Sequence, residues 1–126
     1  MSQRIELGGG TVVRILSATG AGTLLELELQ PGAGAGAHKH TREDETIAVV
    51  SGTLLVHDGE RRILRAGEAI FLARGVRHSF ANEGDEPVRA HISCTPGGLE
   101  RFFREVATAT EEEALAAAER AGLVLG

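Results

Sequence analysis

Apolar and polar positions alternate with a period of two along most of this chain, which predicts strands. Thr23–Gln30 is the clearest case, with Leu25, Leu27 and Leu29 on one face and Glu26 and Glu28 on the other. Similar short runs, rich in Val, Ile, Leu and Thr, occupy Gln3–Leu7, Thr11–Ser17, Thr46–Val50, Thr53–His57, Arg61–Arg65, Ala69–Leu72, Arg77–Asn82 and Val88–Cys94. Turn residues separate them: Gly8-Gly9-Gly10, Ser51-Gly52, Asp58-Gly59, Ala66-Gly67, Arg74-Gly75 and Glu83–Pro87. Pro31 and the run Gly32–Gly36 predict a loop. After Thr95-Pro96-Gly97 the period changes. Leu99, Phe102, Phe103 and Val106 fall at helical spacing. Thr110 with Glu113 makes a capping box for a second helix, which is expected to stop at Gly122.

Strands punctuated by turns, with no long helix before residue 97, predict an all-β sandwich or barrel rather than βαβ units. The expected organisation is a β-barrel over 1–96 with two short C-terminal helices over 97–126, an appendage of the same domain. At 126 residues the chain is long enough to bury a core without disulfides. With no Trp or Tyr and only four Phe, that core must be built mainly from Leu, Ile, Val and Ala. The single cysteine, Cys94, sits in an apolar strand pattern and reads as a small buried hydrophobe.

The net charge of −5, with no long run of Lys or Arg, argues against nucleic acid or an anionic membrane surface as a partner. Arg61, Arg62 and Arg65 read as a solvated hairpin face. No stretch is long and apolar enough for a membrane span, and the N-terminus has no apolar signal core. With one cysteine and hence no internal disulfide, a cytoplasmic location is expected.

Chemistry concentrates in four residues: His38, His40, Glu45 and His78. On an extended segment His38 and His40 point to one face, about 6–7 Å apart. Glu45 opens the next apolar strand and His78 a later one, so all four can return to one spot. A His pair two residues apart is by itself a weak signal, and Glu45 alone reads as a solvated strand-edge acid. Together, three imidazoles and a carboxylate form a mixed nitrogen and oxygen set suited to a divalent first-row metal.

The glycines around these residues complete a pattern that resembles the two signature motifs of the cupin family. Gly32, His38, His40, Glu45 and Gly52 match the first motif at each fixed position. Gly67, Gly75, His78 and Asn82 match the second, with Ala73 where the family usually has proline. The likeness spans about residues 23 to 95. It implies a double-stranded β-helix jelly-roll barrel holding one divalent transition metal ion (Fe, Mn, Ni, Cu, Co or Zn) on His38, His40, Glu45 and His78. It also suggests a homodimer and a small-molecule ligand. Four protein ligands would leave two positions open on a six-coordinate ion.

Three functions follow as expectations. One is a metal-dependent oxidoreductase, similar to quercetinase-like single cupins, acting on a small hydroxylated or enolisable molecule. There Glu45 would be catalytic, accepting a proton from the substrate hydroxyl. A second is a non-oxidative isomerase or decarboxylase; a decarboxylase wants a further acid over the metal, for which only Glu43 or Asp44 is at hand. A third is a binding or sensor protein without turnover. Both Glu43 and Asp44 are expected in a solvated turn. Phe80, Phe102 and Phe103 are candidate pocket residues, Asn82 is expected to turn the chain, and His57 and His91 are expected to lie outside the site.

Overall fold

In a computed structural model, which describes residues 3–126, the alternating segments become strands of two antiparallel sheets. They are β1 (Gln3–Gly8), β2 (Thr11–Ala18), β3 (Thr23–Leu29), β4 (Gly34–His40), β5 (Asp44–Ser51), β6 (Thr53–His57), β7 (Arg61–Arg65), β8 (Ala69–Leu72), β9 (His78–Ala81), β10 (Val88–Thr95) and β11 (Leu123–Leu125). Helices α1 (Glu100–Val106) and α2 (Glu111–Arg120) precede β11. One sheet has six strands in the order β1-β2-β3-β10-β5-β8, and the other five in the order β11-β4-β9-β6-β7. This is the all-β architecture expected from the strand pattern, of the jelly-roll type that the motif resemblance implied.

The alternation translates directly into packing. On β3, Leu25, Leu27 and Leu29 are buried; on β10, Val88, Ala90, Ile92 and Cys94 are buried while Arg89, His91 and Ser93 face out. Ile47 and Val49 of β5 and Leu54 and Val56 of β6 complete the contact between the sheets. Burying each large aliphatic side chain contributes about 1.5–3 kcal/mol. Cys94 is fully buried, and burial pushes its thiol pKa up, so it behaves as a small inert core residue.

Two elements depart from the sequence expectation. The glycine run was expected to be a loop, yet β4 begins at Gly34. A Cβ on Gly34 would lie 2.3 Å from the Phe80 carbonyl oxygen and 2.8 Å from Ala81 Cα. Glycine therefore lets β4 approach β9, and close contact overrides its poor strand propensity. The second departure is at the C-terminus. The capping box forms as expected, with Glu113 N donating to Thr110 Oγ1 at 3.1 Å and Thr110 N to Glu113 Oε1 at 2.9 Å. Beyond Gly122, however, the chain adds β11, which pairs with β4 as Leu123↔His40 and Leu125↔His38. β1 pairs with β2 of its own chain at the edge of the larger sheet. Among the described residues no helix is long and apolar enough to cross a membrane.

Candidate metal centre

Three strands from the two sheets carry the candidate ligands. His38 and His40 lie on β4, His78 opens β9 opposite His38, and Glu45 is the second residue of β5. The ring centroids are 4.5 Å apart for His38 and His78, 5.1 Å for His38 and His40, and 5.5 Å for His40 and His78. One nitrogen from each histidine lies within 4.8 Å of those of the other two. Glu45 joins through its two oxygens: Oε2 is 2.8 Å from His40 Nε2 and Oε1 is 3.8 Å from His78 Nε2.

Two of the three outer ring nitrogens are tied to the backbone. His38 Nδ1 lies 2.7 Å from the Gly36 carbonyl oxygen and His78 Nδ1 lies 3.1 Å from that of Val76. A neutral ring that donates from Nδ1 turns a bare Nε2 lone pair inward, as a metal ligand requires. His78 Nε2 is buried without a hydrogen-bond partner, a condition that costs about 1–3 kcal/mol if nothing fills it. Electrostatics agree with a cation at this place. Burial lowers the His38 pKa, the Gly36 contact opposes this, and the other two histidines lower it further, so the ring is kept neutral. Burial alone would raise Glu45, but the contact with His40 and the electrostatic pull of the three imidazoles around it outweigh this and hold the carboxyl below its usual value. The donor set thus fits a divalent transition metal.

His38, His40 and Glu45 form part of the wall of a cavity of about 440 Å³. Phe80, Phe102 and Phe103 all line it, together with leucines from several elements, among them Leu7, Leu99, Leu123 and Leu125. His38, His40 and Glu45 are the ionisable residues among its walls; no Lys or Arg takes part. The contributions of β1 and β11 were missed in the sequence. The alternating Leu123-Val124-Leu125 was the available signal, but three residues are too few to mark a strand.

Glu43 corrects an expectation. It was placed in a solvated turn, but it is only 5% exposed. Residues of the helical segment cover it: Gly97, Gly98, Leu99 and Ala117 share with it a second cavity of about 320 Å³. Burial raises the Glu43 pKa, against the pull of His40 and nearby arginines. Asp44 does face outward, where it binds the Arg74 backbone amide at 2.9 Å and the guanidinium at 3.2–3.3 Å. These bonds, and the Gly75 amide donating to the His40 carbonyl oxygen at 2.7 Å, hold the turn at Ala73 without the usual proline. Asn82 has the chain-turning role expected of it. Its Nδ2 donates to the Leu29 and Glu86 carbonyls at 3.0 and 2.8 Å, and its Oδ1 accepts from the Gly84 amide at 3.0 Å. His57 and His91 are exposed and remote from the cluster.

Comparison with known proteins agrees with this geometry. Residues 25–94 match the Cupin domain family, described as Cupin_2. The tetracenomycin polyketide synthase protein TcmJ of Streptomyces glaucescens is 36% identical over 58 residues, covering 45% of this chain and 39% of its own. The chain thus spans about two fifths of that curated relative. An RmlC-like cupin from Shewanella frigidimarina NCIMB 400 superposes with a TM-score of 0.73 at 22% identity, over 80% of this chain and 89% of its own. An oxalate oxidase superposes with a TM-score of 0.61 at 27% identity, over 70% of this chain and 53% of its own.

Proposed function

The chain belongs to the cupin family, and we propose that it is a metal-dependent oxidoreductase acting on a small, largely apolar molecule with a hydroxylated or enolisable edge. The observation that carries this reading is the cavity, whose mostly apolar walls include His38, His40 and Glu45. Such a shape suits a ligand with an apolar body and one oxygen-bearing edge. A sugar phosphate or a small dianion would find no Lys or Arg on these walls to offset its charge.

His38, His40 and His78 would hold the metal through Nε2, with the Glu45 carboxylate as fourth ligand. A divalent transition metal there supplies Lewis acidity and, when redox-active, electron exchange with dioxygen. Glu45 has a second task. Its carboxyl is held below its usual pKa, so it is ionised at neutral pH and can accept the proton of a substrate hydroxyl at Oε1 or Oε2. Phe80 packs edge-on to His38, with centroids 6.4 Å apart, and orients a flat substrate toward the ligands. Phe102 and Phe103, half-buried on α1, keep water from the apolar body.

A decarboxylase would want a further acid over the metal, and the placement of the two candidates disfavours it. Glu43 borders the second cavity and Asp44 is paired outward with Arg74. Likeness to a protein named as an oxidase adds support for oxidative chemistry.

The test is dioxygen uptake by protein loaded in turn with Fe(II), Mn(II), Ni(II) or Cu(II), against catechols, flavonols and β-diketones. Uptake with an apolar hydroxylated compound is expected. Tight binding of such compounds without uptake, under every metal, would instead establish a binding protein.

A further inference from the structure

We propose that Glu43 is a positioning residue for the metal centre: its carboxylate accepts the Nδ1–H of His40 and so sets that imidazole for coordination through Nε2. This rests on the metal-binding reading above.

The three histidines differ in their outer contacts. His38 and His78 each direct Nδ1 to the carbonyl oxygen of the residue two before it, Gly36 and Val76. His40 has no such carbonyl. Its Nδ1 is buried without a hydrogen-bond partner, and the buried Glu43 Oε1, also without a partner, lies 3.7 Å away. A donor-capable nitrogen and a carboxylate oxygen, both orphaned in one spot, are an arrangement proteins otherwise avoid.

The tautomer accounts for the gap. His40 Nε2 lies 2.8 Å from Glu45 Oε2, and a ring whose single proton sits on Nε2, facing that carboxylate, has none to give at Nδ1. For His40 to coordinate through Nε2, that proton must sit on Nδ1. The acceptor facing Nδ1 is then Glu43. A carboxylate in this place fixes the tautomer, orients the ring and makes it a better donor to a metal. Glu43 borders the second cavity rather than the one that Glu45 lines. It therefore acts through His40 and does not touch a substrate in the main cavity.

The experiment compares wild type, Glu43→Ala and Glu43→Gln, stripped of metal and titrated with Co(II) against a competing chelator, with visible absorption recorded. Glu43→Ala is expected to weaken Co(II) binding by about 10–100-fold, the range typical of such outer partners, and to shift the Co(II) bands. Glu43→Gln keeps an oxygen acceptor without the charge and should fall between. Thermal unfolding of the metal-free proteins separates this from a structural role, which would lower the melting temperature and leave the bands in place. If Glu43→Ala does not fold, Glu43→Gln decides: wild-type affinity and bands in that variant overturn the inference. No Co(II) binding by the wild type overturns the metal reading and this inference together. Binding by the wild type, lost in His38→Ala but matched by both Glu43 variants, overturns this inference alone.

Discussion

The polar and apolar linings of the main cavity are built in opposite ways. His38, His40 and Glu45, which line it, and the neighbouring His78 sit on strands inside the segment that matches the family. Their geometry is fixed by β-ladders and by backbone contacts such as the carbonyls of Gly36 and Val76. Outside that segment the apolar lining draws on both ends of the chain: Leu7 from β1, Phe102 and Phe103 from α1, and Leu123 and Leu125 from β11, the last two opposite His40 and His38 in the β4 ladder. These residues lie outside 25–94. The contrast separates two tasks. Ligand positions must be held closely for a metal to bind, whereas a greasy wall tolerates exchange of one hydrophobe for another. In the proposed reading, the chemistry would lie within the family segment, and selection of the ligand would draw also on residues outside it.

The sharpest way to break the comparison is to remove one ligand. His38 is only half-buried, so His38→Ala should fold while metal affinity falls by more than about 100-fold, beyond the loss typical of an outer partner. Elemental analysis after purification would measure it, and full metal content would contradict the assignment. Metal removal from the wild type comes next. An ion at 100 times its Kd stabilises the fold by about 2.7 kcal/mol. A chelator should therefore lower the melting temperature of the wild type and leave that of His38→Ala unchanged.

The apolar lining should respond differently. Phe103→Ala is expected to raise KM for an apolar substrate several-fold while metal content stays at the wild-type level. Its stability cost should lie below the roughly 3–5 kcal/mol of a fully buried Phe, because Phe103 is only partly buried. A fall in metal content in this variant would mean that the polar and apolar linings are not separable. The smallest effect is expected at a residue outside the cavity lining. Thr110→Ala removes the α2 cap hydrogen bond and should cost about 1 kcal/mol, with metal content and KM unaltered.

Much of this was legible in the chain because it depends on local periodicity. The alternation in Thr23–Gln30 becomes the buried face of β3, and the Thr110–Glu113 box caps α2 as read. The histidines two apart on a strand are brought together with His78, because strand geometry alone aligns i and i+2. What failed depended on distant partners. Gly34 looks like a loop residue until β9 is placed against it. Leu123–Leu125 is too short to announce a strand and becomes one only by pairing with β4. Glu43 sits in a polar stretch, Thr41–Asp44, that carries every mark of a solvated turn.

The sequence by itself therefore determined most of the strands, through side-chain period, while its likeness to the family's motifs pointed to the barrel type and to the four candidate ligands. Only the tertiary structure decided what surrounds the ligands. It folded α1, α2 and β11 back over the barrel, made the cavity apolar and put Glu43 out of water behind His40. Burial is a property of what packs against a residue, and here the covering segments lie more than fifty residues further along the chain. No local pattern around Glu43 carries that information.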